Sequence, residues 1–347
     1  MGNSYYQAYI GTNSVRGSRG IYCVRIDAET FEPELIAAEQ AYNSGSVALD
    51  QKGKFLYAAS EGMTFEGYAD GGVSAYEIGM DGTLKKLGGQ RTYGQRTCCV
   101  AVDEKGENVY ACNFYKGTFS AFPVADKGGL YPAKYVIKPP AETGWKALHC
   151  VAPIGDGYIG VISLAECALV IYRAKDGERI TSYTFPGNPF PRYFETAGSH
   201  IYAMMQMPDD IYVFEERLNR DGSIRLVQKI SVMDQTYQGM AATSTLRATP
   251  DGRLLLAANR PSDSITVFER RQDGRLERKH ITRLPGRGPR DFHISGDGRI
   301  VVAALQHSDE ISVHEIDYEK GSLTQRGKKL SIPSPAAVAI SGRIKME

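Results

Sequence analysis

A strand–turn–strand unit that returns along the chain limits the folds open to it. Its clearest copy is Ser244–Glu269. There a strand (Leu246–Thr249) runs into a Pro250-Asp251-Gly252 turn, a second strand (Leu254–Asn259) follows, and after a polar loop comes a third (Ser264–Glu269). The turn has a chemical reason: aspartate can bond its own backbone, and glycine accepts the positive φ a hairpin needs. The runs between turns are short and rich in β-branched and apolar residues, as strands are.

Weaker copies follow the same template. Ala48–Tyr57 with Gly72–Ile78, and Val102–Tyr110 with Thr118–Pro123, come early in the chain. Pro153–Val161 with Ala168–Arg173 and Phe194–Tyr202 with Asp210–Glu215 are degenerate, and Ile294–Val301 with Glu310–Glu315 is clear. Equivalent second-strand positions, taken as Tyr9, Tyr57, Tyr110, Tyr158, Tyr202, Leu255 and Val301, are roughly 44 to 53 residues apart, near the period of propeller blades. The start (Tyr5–Thr12, Gly20–Asp27) supplies only the later strands of a unit, and Pro335–Ser341 only the first. The expected fold is therefore all-β, a seven-bladed β-propeller of four-stranded antiparallel blades. The C-terminal strand joins the N-terminal blade and closes the ring, in one domain over residues 1–347. A two-domain split would need a linker, and the repeat runs through the middle without one.

Charge narrows the function. Forty-one Lys+Arg stand against 40 Asp+Glu, interspersed, for a net charge of +1. No basic run points to nucleic acid. The longest apolar runs, Leu254–Ala258 and Val301–Leu305, fall far short of a membrane span. The first nine residues lack the pattern of a signal peptide, so a cytoplasmic location is expected. Nothing in the sequence fixes an oligomeric state. The six cysteines, Cys23, Cys98, Cys99, Cys112, Cys150 and Cys167, all fall in expected strands and form no Cys-x-x-Cys pair. They read as small buried thiols rather than metal ligands, with Cys98 and Cys99 facing opposite sides of their strand.

On a propeller the inner strands and the ends of the second strands line the axial channel. From the inner strands we take Arg96, Cys99, His149, Arg192, Arg247 and Arg290. From the second-strand ends we take Glu61, Asn113, Gln206, Asn259-Arg260 and Gln306. Several arginines in one cavity repel each other unless an anion is expected there, and planar guanidinium groups suit bidentate capture of carboxylate or phosphate. The partner so implied is a small anionic substrate. Each residue also has a structural alternative: an arginine before an aspartate, as in Pro289-Arg290-Asp291, can tie two blades together, and Asn113 and Gln306 can bond inter-blade backbone.

These stretches, taken in order, resemble the lactonase family of seven-bladed propellers, which includes bacterial 6-phosphogluconolactonases and fungal 3-carboxymuconate cyclases. The resemblance runs through Tyr9-Ile10-Gly11-Thr12, Leu56–Gly62, Gly72–Tyr76, Val109–Tyr115, Pro250–Arg253 with Ala258-Asn259-Arg260, and Gly288–Phe292. It implies an enzyme with no metal or other cofactor that acts on a small anionic lactone or its open acid. The family's histidine would be His149, its arginines Arg192 and Arg290, and its Asn-Glu and Asn-Arg pairs Ser60-Glu61 and Asn259-Arg260. The chain departs from the family at Ala147 and Cys99, where histidines are usual, at Gln206 in place of glutamate, and at Thr245-Leu246-Arg247 in place of Glu-x-His. Glutamine cannot trade a proton.

The expected chemistry is hydrolysis of a phosphorylated or carboxylated sugar lactone. His149, near its ordinary pKa, would be general base, with Glu61 orienting or replacing it. One of Arg192, Arg247 and Arg290 would stabilise the oxyanion, and the rest, with Arg260, Gln206, Asn113, Gln306 and Arg96, would hold substrate. The alternatives are a cycloisomerase that closes a muconate-type diacid into a lactone, and a non-catalytic anion-binding propeller.

Overall fold

The computed structural model describes residues 4–138, 147–155, 157–216 and 223–345. Among these the regular structure is all β, in seven antiparallel sheets. No described helix is long and apolar enough to cross a membrane. Blade one pairs the C-terminal strand Pro335–Ile340 with Ser4–Thr12, Gly20–Asp27 and Pro33–Gln40, so the two ends of the chain close the ring by hydrogen bonds. The inner strands of blades two to seven are Ser46–Leu49, Gln95–Val102, Leu148–Ile154, Phe190–Ala197, Thr243–Ala248 and Pro289–Ile294, each followed outward by three more strands.

The hairpin turns follow the expected chemistry. Asp50 Oδ1 accepts the backbone N–H of Lys54 and Phe55, and Gly53 takes φ +64°. Asp251 accepts Thr249 Oγ1–H and the Arg253 N–H, beside Gly252 at φ +66°. Tyrosines of the second strand join neighbouring blades. Tyr9, Tyr57 and Tyr202 are buried, and each donates its hydroxyl to a glycine carbonyl in the outer turn of the next blade (Gly82, Gly128 and Gly274). Tyr158 does not share this position, because its strand is offset and its side chain is exposed. Gly160 stands there instead, where a Cβ would lie 2.6 Å from the ring of Phe194 in the next blade.

One irregularity recurs and positions the site. In blades three, four, five, six, seven and one the inner strand carries an extra residue against its partner: Cys98, His149, Arg192, one of Ser244 and Thr245, Arg290 and Ala336. Such a bulge unpairs one residue and re-aims its side chain. Blade two begins at Ser46, and Gly45 takes the equivalent place. The bulge row, Gly45, Cys98, His149, Arg192, Ser244, Arg290 and Ala336, faces one axial cavity. Three residues further along come Ala48, Ala101, Ala152, Glu195, Arg247, His293 and Ala339, a second row deeper in the ring.

Candidate functional site

The axial cavity encloses about 290 Å³. It is lined by eight of the ten expected site residues: Glu61, Arg96, His149, Arg192, Gln206, Arg247, Arg260 and Arg290. A larger groove of about 840 Å³ opens between blades one and two, beside Ser14, Gln40, Tyr42 and Phe65, with no histidine or cysteine in its lining.

Arg192, 6% exposed, sits at the centre of the cavity's bonding. Its Nε donates to the Ser244 carbonyl at 2.9 Å, and its Nη1 donates to Gln206 Oε1 and to His149 Nε2, both at 2.8 Å. None of these partners is a carboxylate. Burial, and then the neighbouring guanidinium groups of Arg290 and Arg260, hold Arg192 well below the ordinary arginine pKa. Arg260 is pushed down to about 10 by burial and by Arg290, and its guanidinium donates to the Ala242 and Thr243 carbonyls. Among the described residues, Arg192, Arg260 and Arg290 make no salt bridge. Three guanidinium groups therefore line one cavity with no carboxylate in contact among the described residues, the nearby Glu61 being paired with Arg96.

Arginine has only donors, so the Arg192 contact falls on the lone pair of His149 Nε2 and the ring proton sits on Nδ1. Burial first, and then Arg192, Arg290 and Arg260, drive the His149 pKa well below 6.5. The expectation of a histidine near its ordinary pKa is thus corrected: the shift favours the neutral imidazole, and its basic nitrogen is engaged by Arg192. The ring of Phe114 meets it edge-on at 6.0 Å.

Glu61 is paired with Arg96, whose guanidinium also lies over the rings of Phe114 and Tyr115. Its carboxylate has a defined seat. A Cβ on Gly45 would lie 2.8 Å from Glu61 Oε2, so the missing side chain of blade two's bulge position is the space the carboxylate fills. Gly45→Ala should therefore displace Glu61 while leaving the fold intact. We expect Tm to move little and turnover to fall roughly 10²-fold, the cost of a displacement of about 1 Å at a reacting group. Unchanged turnover would remove Glu61 from the site.

Two expectations about placement are corrected, those for Asn113 and Gln306, while Arg247 lines the cavity but is charge-paired. Arg247 belongs to the deeper row, where Tyr193 Oη accepts from Nη1 and Glu195 and Asp291 each lie at 3.8 Å. Although burial opposes its charge, Tyr193, Asp291 and Glu195 hold its pKa above the ordinary value, so it is compensated and not free for an anion. Asn113 lies outside the cavity and is fully buried, with Nδ2 donating to the Thr92 carbonyl and Thr118 Oγ1. Gln306 is not in the cavity lining: its N–H donates to the Gly288 carbonyl and its own carbonyl accepts from Arg16. Two cysteine expectations change as well. Cys167 occupies a turn at φ +48°, and the bulge at Cys98 removes the strict alternation that would have separated Cys98 from Cys99.

Comparison with known proteins agrees with this architecture. The family model for the lactonase, seven-bladed β-propeller, matches residues 7–340. The chain belongs to that family. It is 30% identical to the 6-phosphogluconolactonase of Bacillus subtilis over 96% of this chain and 97% of that protein. It is 26% identical to the 6-phosphogluconolactonase of Klebsiella pneumoniae over 78% and 82% of the two chains. The periplasmic gluconolactonase of Pseudomonas aeruginosa shares the fold, with a TM-score of 0.87 at 20% identity over 97% of this chain and 99% of that one.

Several cavity residues of this lactonase-family propeller were not singled out from the sequence: Gly45, Cys98, Phe190, Tyr193, Ser244 and Asp291. The signal was present in the repeat. Aligning Val47-Ala48-Leu49-Asp50 with Val100-Ala101-Val102-Asp103 and its counterparts places all the bulge positions in one column. Asp291, rather than Arg290, joins the blades, accepting Thr245 Oγ1–H from blade six and the Val338 N–H from blade one.

Two histidines, His314 buried and His293 half-buried, also make the fold sensitive to acid. His314, 1% exposed, and His293 are both pushed down to about 4, chiefly by burial. A depressed histidine binds protons more readily in the unfolded chain, so its contribution is present above pH 6.5 and is lost as pH falls toward 4. His314 alone accounts for roughly 3 kcal/mol by the lower end of that window. The urea midpoint should drop between pH 7 and pH 5, and His314→Gln should flatten that dependence. An equally steep dependence in the variant would count against this account.

Proposed function

We propose that the chain hydrolyses a small lactone bearing a phosphate or carboxylate in its axial cavity, as the names of its 6-phosphogluconolactonase relatives suggest. The observation that carries this reading is the set of three uncompensated guanidinium groups facing a neutral histidine. At an effective dielectric of about 20, each guanidinium about 4 Å from a unit negative charge contributes roughly 4 kcal/mol of attraction, before the cost of desolvation. Arg290 and Arg260 hold the anionic group, and Arg192 turns from His149 toward the carbonyl oxygen that gains charge as the ring opens.

The bound anion offsets the positive field at His149. Its proton affinity rises and its Nε2 is released from Arg192, so the imidazole can take a proton from the attacking water. Substrate thus supplies the charge that makes the base competent. Glu61, fixed by Arg96 and by the space at Gly45, borders the same cavity and orients the water.

The test is ring opening by purified protein. 6-Phosphogluconolactone should be opened much faster than the same lactone without phosphate, and a muconate diacid should not be cyclised. Saturable phosphate binding with no ring opening would replace this reading with a non-catalytic anion-binding propeller. A favoured muconate would replace it with cycloisomerisation.

A further inference from the structure

Four of the six thiols form one cluster beside the cavity, and the chemistry above uses none of them. Cys98 and Cys99 come from the inner strand of blade three, Cys112 from its second strand and Cys150 from the inner strand of blade four. Cys98 Sγ lies 4.0 Å from Cys112 Sγ and contacts the Leu148 carbonyl at 3.3 Å. Cys99 stands opposite Cys112 across the strand pair, contacts the Val151 carbonyl at 3.5 Å, and packs with Cys112 and Cys150 in one core cluster against which Cys98 lies. Of the six, Cys98 is half-buried and the other five are buried, and Cys98 occupies the bulge position that opens on the cavity. A reagent small enough to enter can thus reach one sulfur of the cluster, and a second sulfur waits behind it.

We propose that Cys98 is an oxidation site opening on the axial cavity, resolved by Cys112 into a disulfide within blade three. The oxidant is hydrogen peroxide. The Cys98 sulfur attacks one peroxide oxygen, the O–O bond breaks, and the second oxygen leaves as water with the thiol proton, leaving a sulfenic acid. The Cys112 sulfur then attacks the Cys98 sulfur. The S–S bond forms as the S–O bond breaks, and the hydroxide leaves as a second water with the Cys112 proton. Two electrons pass from the thiol pair to the peroxide, and a dithiol reductant reverses the change.

The pairing is specific because the main chain sets it. The bulge turns Cys98 out of register, and Cys99 takes the direct cross-strand place opposite Cys112. Cys99 also borders the cavity but is buried, 6% exposed, whereas Cys98 is half-buried. Cys23 and Cys167, for which the described residues show no sulfur–sulfur contact, serve as internal controls.

The test is peptide mapping of the intact protein after hydrogen peroxide and alkylation. Cleavage at Lys and Arg puts Cys98 and Cys99 in peptide 97–105 and Cys112 in peptide 106–116. Peroxide should join these into one species, two hydrogen atoms lighter than their sum and separated again by dithiothreitol. Cys99→Ala should leave the link in place and Cys98→Ser should abolish it. In Cys112→Ser, dimedone should trap a sulfenic acid on peptide 97–105. The proposal is overturned if wild type forms no link while Cys23 or Cys167 is oxidised first, or if the link survives in Cys98→Ser.

Discussion

Replacing Arg192 with methionine should abolish nearly all turnover without weakening the fold. In the proposed mechanism Arg192 turns to the oxygen on which charge develops, and losing one such donor costs about 10²–10³-fold in kcat. The same guanidinium is a buried cation with no carboxylate partner, held well below its ordinary pKa by burial and by Arg290 and Arg260. Methionine keeps most of its volume and removes the repulsion, so Tm should stay level or rise. The groups it bonds (the Ser244 carbonyl, Gln206 Oε1 and His149 Nε2) face the cavity, where water can replace it. His149 should also titrate nearer its ordinary value, since one of the charges that depress it is gone. Histidine NMR read against pH, with kcat and Tm for both proteins, checks all three effects. A large fall in Tm with turnover lost in proportion would make Arg192 a structural residue.

The repeat made the architecture legible because turn chemistry is local. Asp251-Gly252 and its counterparts state a hairpin wherever they occur, and seven hairpin units with incomplete ends state a closed ring. The cavity was legible in residue type but not in depth. Arg192, Arg247 and Arg290 look equivalent as arginines on inner strands, yet Arg192 and Arg290 stand at the bulge and Arg247 three positions beyond its equivalent. That offset separates uncompensated cations from one placed beside Glu195 and Asp291. A bulge depends on pairing with the next strand, so alternation along a single strand cannot reveal it. Asn113 and Gln306 show the same limit from the other side. Both fall at second-strand ends, but the polar side chain of Asn113 is satisfied by Thr92 and Thr118 before it reaches the axis. The seat of Glu61 depends on a side chain that Gly45 lacks, and a missing side chain leaves only a weak trace in a sequence with 37 glycines.

His149→Gln should separate binding from chemistry. Glutamine can still accept a hydrogen bond from Arg192 but cannot accept the proton of water, so phosphate binding should persist while kcat falls by about 10²–10⁴-fold. In wild type the two pH profiles should differ in a way that depends on the arginine field. The acid limb of kcat/KM reports the free enzyme, in which burial and three arginines hold His149 well below 6.5. The acid limb of kcat reports the complex, in which the bound anion offsets that field and raises the pKa. A base must be neutral to act, so both parameters fall on the acid side, and kcat should begin to fall at a higher pH than kcat/KM. The order follows from the sign of the Coulomb terms alone. A kcat limb at or below the kcat/KM limb would mean that the substrate's charge does not act on His149. Loss of both limbs in His149→Gln, with the phosphate dissociation constant unchanged, would identify that imidazole as the proton acceptor.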